Sequence, residues 1–317
     1  MKKCFDISAH LYFKEYKDEN AKNNNSIKDE DQIFSETKIS ESFDMLRELD
    51  INWFNTWTHS NIYTDFSGEK EIVKSIERHL NKYRYIKLSS LHYNGSIFDL
   101  DEKINSKNIE QMKNYIELVR NLKPVSIVMH PGVFGEGGFA KNLPNYQKAV
   151  EILGSERVKE KVAENIRYFG EFANTYGIKI AVENIFKGRI YSKIDDLIDL
   201  VNTVNMENVG FCLDVGHGNY DGINISETIR LMKDKLFELH LSDNLGDRDA
   251  HLPIGFGNID WVSVINTLRE IGYKGTATFE FFRWPIEDKK LGLKMAIETW
   301  KTFENIAING YHTLDYI

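Results

Sequence analysis

Apolar, β-branched runs alternate with amphipathic segments from end to end of this chain, and that alternation restricts the fold more than any other feature. The runs cover 4–9, 52–58, 85–93, 125–131, 178–184, 209–217, 237–243 and 276–281. Several are apolar without clean alternation, as parallel strands covered on both faces are. Between them a helical period recurs. Ile72, Val73, Ile76 and Leu80 form one stripe over 70–83, and Met112, Ile116 and Val119 another over 109–122. A longer segment, 155–176, starts at Ser155 and stops before Gly177, which suits a C-cap. Segments 194–204, 225–232, 261–271 and 293–306 complete the set. Repeated strand–helix alternation implies parallel βα units. The expected fold is α/β, a (β/α)8 TIM barrel with a parallel eight-stranded barrel. An open doubly wound sheet is the alternative, because the pattern itself does not display closure.

The chain of 317 residues fits one such barrel as a single domain over 1–317. A polar insertion at about 14–36, rich in Asn, Lys, Asp and Glu, interrupts the rhythm after the first strand. The stretch 132–144 carries Gly135, Gly137 and Gly138 and reads as an active-site loop. It lacks the spacing of a dinucleotide-binding turn. Cys4 and Cys212 lie in apolar runs and read as buried free thiols of a reducing compartment. The N-terminus has basic residues but no apolar segment of a secretory leader, so a cytoplasmic location is expected. No apolar stretch is long enough to span a membrane. The net charge of −8 disfavours nucleic acid as a partner without excluding a local basic rim. A homo-oligomer is compatible with these properties.

Chemistry collects at the ends of the strands. Their last residues, or those just beyond, include His92, His130, Glu183, Asp214, His217, His240 and Glu280. The seventh strand then feeds a loop with Asp243, Asp247, Asp249 and His251, closed by Gly255-Phe256-Gly257-Asn258-Ile259-Asp260-Trp261. Asp249 and His251 are two apart, so on an extended segment both point the same way. In a parallel barrel the C-terminal strand ends meet on one face, where active sites lie. Buried carboxylates there need a cation, a cationic partner or water. Nitrogen and oxygen donors together suit a divalent metal.

These motifs resemble the xylose isomerase-like barrel superfamily, which includes the sugar-phosphate isomerase/epimerase family and the family-2 AP endonucleases of the endonuclease IV type. The carriers are Val128-Met129-His130-Pro131-Gly132, Ala181-Val182-Glu183-Asn184 and Cys212-Leu213-Asp214-Val215-Gly216-His217, with the 240–261 stretch and Phe279-Glu280. The resemblance covers most of the chain from the third strand onward. In the isomerase branch it implies one divalent ion (Zn, Mn, Mg or Co) on Glu183, Asp214, His240 and Glu280. In the endonuclease branch it implies up to three zinc ions, adding His92, His130, His217, Asp249 and His251. The chain departs from the nuclease pattern after Glu183-Asn184, where Ile185-Phe186-Lys187-Gly188-Arg189 replaces a Gly-Gln-Gly signature. Its opening strand, Asp6-Ile7-Ser8-Ala9-His10, is only loosely similar to the nuclease start, whereas His251–Trp261 resembles the isomerase branch closely.

The leading expectation is therefore a divalent-metal-dependent sugar or sugar-phosphate isomerase/epimerase, working by proton transfer next to a carbonyl. Glu183 and Glu280 are the expected acid–base pair, and His217 is expected to orient a substrate oxygen. Trp57, Phe282 and Trp284 are candidate walls for the substrate, and Lys187, Arg189, Arg248 and Arg283 are candidate anion-binding groups. A zinc-dependent AP endonuclease and a non-catalytic metal- and sugar-binding barrel are the competing readings. Large aromatics at strand ends also serve as plain packing, and the four cations as solvated rim charges.

Overall fold

The computed structural model describes residues 2–6, 36–57, 67–132, 139–281 and 288–310, with the backbone alone for 2–6, 67–68, 139–142 and 289. Residues 14–35 of the polar insertion, the glycines at 135, 137 and 138, and Phe282, Arg283 and Trp284 lie outside the described residues. The strands are β1 (Lys2–Asp6), β2 (Trp53–Trp57), β3 (Lys87–Tyr93), β4 (Ser126–Met129), β5 (Lys179–Glu183), β6 (Val209–Asp214), β7 (Leu236–Leu241) and β8 (Thr276–Phe279). They pair in sequence order into a closed barrel. The pairing of β8 with β1 is parallel, from Lys2↔Thr276 to Phe5↔Phe279, which rules out the open doubly wound sheet.

The helices are α1 (Glu36–Glu48), α2 (Ser67–Lys82), α3 (Glu102–Val119), α4 (Phe139–Leu153), α5 (Ser155–Asn174), α6 (Ile194–Val204), α7 (Val215–Asp221), α8 (Ile225–Met232), α9 (Trp261–Glu270) and α10 (Lys289–Asn309). Three of these, α1, α4 and α7, are not legible as helices in the sequence. Most of α1 falls just beyond the polar insertion. Pro144 and the glycines before it disguise α4, yet Pro144 sits inside that helix. Residues 215–217 look like a continuation of the sixth strand, but Asp214 ends β6 and caps α7 through an Oδ1 that accepts from the His217 N–H at 2.6 Å. Helix α5 starts at Ser155 as expected; its N-cap is Gly154, at φ +82°, and no side chain caps that end.

Strand side chains divide into two buried sets. Outward ones such as Ile127, Met129, Ile180, Val182, Leu213, Leu239, Leu241 and Phe279 join the main core against the helices. Inward ones are small or polar: Val128, Ala181 and Cys212 form a separate cluster, and Ser90, Ser126, Glu238 and Thr278 are hydrogen-bonded beside them. Alternation is therefore present, but between apolar outside and polar inside, with both sides buried.

A register shift positions the site. Phe211 pairs with Leu236, but Cys212 pairs with Glu238, so β7 carries one extra residue at that point. As a result Asp214 is the partner of His240. Without the extra residue it would face Leu239, whose side chain points into the outer core.

Candidate metal centre

The four strands β5 to β8 end side by side, and each contributes one group. Glu183 is the last residue of β5 and Asp214 the last of β6, while His240 lies near the end of β7. Glu280 follows β8 directly and extends its ladder by donating its N–H to Leu241 O at 3.0 Å. One donor atom from each of the four lies within 4.8 Å of the others, and all four residues are buried. His240 Nδ1 is 2.8 Å from Glu183 Oε1 and 3.2 Å from Glu280 Oε2, so both carboxylates face the same ring nitrogen.

Two oxygens of the set, Glu183 Oε2 and Asp214 Oδ2, are buried without a hydrogen-bond partner. Such atoms are costly unless something positive reaches them. Three carboxylates and one imidazole form the donor set that a divalent cation of borderline hardness takes. The residues present fit such a cation.

Electrostatics separate the groups. Burial raises the Asp214 carboxyl to about 6 despite the nearby His217. For Glu280, burial acts upward, but the neighbouring His240 and His251 override it and bring the carboxyl down to about 2. Burial also opposes charge on His240, yet Cys212 and the carboxylates of Glu183 and Glu280 hold its pKa well above the ordinary value.

The additional predicted residues assemble around this set. His92 Nε2 and His130 Nε2 approach Glu183 Oε2 at 3.4 and 3.5 Å. Burial pushes both imidazoles down, His130 to about 4. On the other side, His217, Asp249 and His251 form a second group with donor atoms within 4.8 Å. Asp249 Oδ2 is 3.2 Å from His251 Nε2 and 3.6 Å from His217 Nε2. The extended-segment argument for this pair does not hold, because His251 has φ +45° and turns the chain. Convergence comes instead from a fold-back in which Asp243 and Leu252 exchange backbone hydrogen bonds of 2.8 and 2.9 Å.

Two residues that hold this architecture, Asn184 and Glu238, have no role in the sequence reading, and a third, Asp243, is grouped there with the metal-suited carboxylates of its loop. Asn184 clasps Asp214, donating to its carbonyl at 3.0 Å and accepting from its N–H at 2.7 Å. Asp243, wholly buried, accepts from Gly255 N at 2.9 Å and Trp261 Nε1 at 2.8 Å, so it organises the loop after β7. Glu238 lies two residues before His240 on the same inward face of β7. Its signal is an acidic residue in a strand whose alternate positions are Phe237, Leu239 and Leu241.

The predicted substrate-binding residues are dispersed. Trp57, the last residue of β2, sets its ring edge-on to His92 at 5.9 Å and so borders the site. Lys187 donates from Nζ to Tyr220 O at 3.0 Å and lies over that ring, while Arg189 lies over Phe186. Phe186 in turn packs edge-on against His217 at 5.3 Å. Arg248 is exposed. Cys212 is a free, buried thiol, as expected; the side chain of Cys4 is outside the description. Among the described residues no helix is long and apolar enough to cross a membrane.

Comparison with known proteins places this geometry in context. The chain is 30% identical to the protein MJ1311 of Methanocaldococcus jannaschii over 189 residues, 57% of this chain and 59% of that one. It is 28% identical to an inosose isomerase of Bacillus subtilis over 72% of its own length and 79% of the relative's. A probable endonuclease 4 of Mycoplasma capricolum is 22% identical over 74% of this chain and 81% of its own. Among solved structures, the IOLI protein with a bound zinc atom has a TM-score of 0.67 at 23% identity, covering 99% of this chain and 100% of that one. The family model for xylose isomerase-like TIM barrels matches residues 43–303, and the chain belongs to that family.

Proposed function

We propose that this protein is a divalent-metal-dependent sugar or sugar-phosphate isomerase or epimerase that works by proton transfer next to a carbonyl. The observation that carries this reading is the convergence of Glu183, Asp214, His240 and Glu280 within 4.8 Å at the C-terminal mouth of the barrel. Relatives named inosose isomerase and D-psicose 3-epimerase support the substrate class.

Those four residues would hold the ion. When bound, a divalent cation polarises carbonyl and hydroxyl oxygens and stabilises the negative charge that develops on proton removal. Glu183 and Glu280 come from strands three apart around the barrel, so they can address a small substrate from two sides. One takes the proton from the carbon and the other returns it, a division of labour that different local environments permit. His217, held by its Nδ1 at 3.0 Å from Asn184 O, presents Nε2 to Asp249 Oδ2 at 3.6 Å and can orient a substrate hydroxyl. Trp57 supplies an apolar wall beside His92. The bound species would be a neutral sugar or a sugar phosphate.

A second reading rests on a specific observation. His92, His130, His217, Asp249 and His251 also gather here, as an endonuclease with three zinc ions requires, and one relative is a probable endonuclease 4. The net charge of −8 and the segment after Asn184 oppose it. One experiment separates the two. Metal-loaded protein is incubated in D2O with a panel of inososes and 2-ketohexoses, and in parallel with an abasic DNA duplex. Deuterium at the carbon beside the carbonyl, with the duplex intact, is the expected result. Metal-dependent incision without exchange would replace the first reading by the second.

A further inference from the structure

Glu238 is a carboxylate sealed inside the barrel, wholly buried and one layer below the four converging donors. It shares the inward face of β7 with His240, two residues on. Hydroxyls from three other strands close on it. Ser90 Oγ from β3 and Thr278 Oγ1 from β8 donate to Oε1, the latter at 2.8 Å, and Ser126 Oγ from β4 donates to Oε2 at 2.8 Å. The amide of Asn55 on β2 donates to Ser90 Oγ at 2.6 Å, which turns the Ser90 hydrogen toward Glu238. Five strands thus meet on one side chain.

A buried carboxylate with three hydroxyl donors is far more elaborate than a space-filling interior requires. Aliphatic side chains fill most barrel interiors. With three hydroxyls on it, two at Oε1 and one at Oε2, the carboxylate is fixed in place. Oε1 also faces His240, whose Nε2 is buried, lacks a hydrogen-bond partner and lies 3.6 Å away. The other ring nitrogen, Nδ1, faces Glu183 and Glu280. The imidazole therefore stands between two sets of acceptors, one per nitrogen.

We propose that Glu238 is a positioning residue for His240: it keeps the proton on Nε2 and leaves the Nδ1 lone pair for a divalent cation. The inference rests on the metal-dependent reading of the site above. A partner that orients the far nitrogen of a ligating histidine raises its basicity and affects metal affinity by roughly 10- to 100-fold. The hydroxyls of Ser90, Ser126 and Thr278 hold the Glu238 carboxylate in place beside His240 Nε2.

The test uses the full-length protein and two readouts. First, affinities for Zn2+ and Mn2+ are measured by chelator competition on metal-stripped wild type, on Glu238→Gln, and on Glu183→Gln as the reference for a lost ligand. Glu238→Gln is expected to bind about 10- to 100-fold more weakly than wild type while keeping its circular dichroism. Binding within twofold of wild type would overturn the proposal, and failure of wild type itself to bind would overturn the metal reading instead. Second, in Zn2+-loaded protein a ligated Nδ1 leaves the imidazole proton on Nε2, and 15N–1H correlation spectra read its hydrogen bond. Wild type is expected to show the His240 Nε2–H downfield and slow to exchange with solvent, as an N–H facing a carboxylate is, and Glu238→Gln to show it upfield and faster to exchange. A simple structural role would lower stability without moving that resonance. Should Glu238→Gln not fold, the wild-type spectrum decides: a loaded protein whose His240 Nε2–H lies at the position of an unbonded imidazole overturns the proposal.

Discussion

Asn184 and Asp214 hold each other by two hydrogen bonds, from the Asn184 side-chain Nδ2 to the Asp214 backbone carbonyl at 3.0 Å and from the Asp214 N–H to Asn184 Oδ1 at 2.7 Å. The clasp ties the end of β5 to the end of β6. It thereby sets the distance between Glu183, one residue before Asn184, and the Asp214 carboxylate. Asn184→Ala would leave the buried Asp214 N–H unpaired, at a cost of about 1–3 kcal/mol. The loss should appear as a lower urea midpoint with an unchanged slope. Metal affinity should fall as well, because the two ligand strands are no longer pinned. A variant with wild-type stability would show that the clasp contributes nothing.

Removal of a charged donor should act on the cation rather than on the fold. Glu183→Gln and Asp214→Asn are each expected to lower metal content and abolish turnover, since a site of three carboxylates loses a third of its negative charge. The barrel should persist, because the apolar core lies outside the strands, between them and the helices. Elemental analysis of gel-filtered protein, with circular dichroism on the same sample, measures both. Wild-type metal content in both variants would contradict the ligand assignment.

The loop after β7 depends on a close approach. A Cβ added at Gly257 would lie 2.1 Å from Asp243 Oδ1 and 2.3 Å from Asn244 O, so the backbone must shift to admit it. Gly257→Ala should therefore weaken the hydrogen bonds of Asp243 to Gly255 and Trp261 and displace the loop carrying Asp249 and His251. Its expected cost is about 1–3 kcal/mol. Indole fluorescence of Trp261 offers a local readout, and an unchanged spectrum and melting temperature would refute the constraint.

The barrel was legible because outward strand positions and helix stripes are apolar with different periods, and those patterns survive in a single sequence. The site was legible for a related reason. Charged residues that terminate apolar strands are expensive without a purpose, so Glu183, Asp214, His240 and Glu280 stood out. What escaped was geometry set by hydrogen bonds. Asp214 as a helix cap looks in sequence like the middle of a strand, because Val215 is apolar. The turn at His251 is invisible, since nothing in Asp249-Ala250-His251 signals a positive φ. The extra residue in β7 near Phe237 is likewise unmarked, although it decides that Asp214 and His240 are neighbours. Glu238 escaped because its partners Ser90, Ser126 and Thr278 are ordinary strand residues, distant in sequence.

Alkaline pH should destabilise the metal-free protein. Burial pushes the His251 pKa down, but the Asp249 carboxylate 3.2 Å away outweighs it, and the result is about 9 against an ordinary 6.5. A folded-state pKa above the unfolded one means the folded protein binds the proton more tightly. The stabilisation is then complete below pH 6.5 and is lost as the pH rises through about 9, amounting to about 3 kcal/mol at most. Chelator-treated protein should show a lower urea midpoint at pH 9.5 than at pH 6. Asp249→Asn should flatten that dependence. An equal slope in the two proteins would remove His251 and Asp249 as its source.

The final prediction concerns the number of ions. Glu183, Asp214, His240 and Glu280 form a complete four-donor set, whereas His217, Asp249 and His251 supply three donors in a more open position. Three protein ligands leave a coordination position for water or substrate, so the second group should bind less tightly. Two histidines there must also lose protons, against His240 alone in the first set: His217 is held protonated by Asp214 and Asp249, and His251 by Asp249, against the effect of burial. Titration of stripped protein with Zn2+ at pH 7 should therefore fill one tight site before any other. His251→Ala should leave that first step unchanged and abolish a weaker one, while Glu280→Gln should weaken the first. If His251→Ala instead removes an ion as tightly held as the first, the centre is multinuclear at rest, and phosphodiester hydrolysis becomes the better account of the five additional ligand-type side chains.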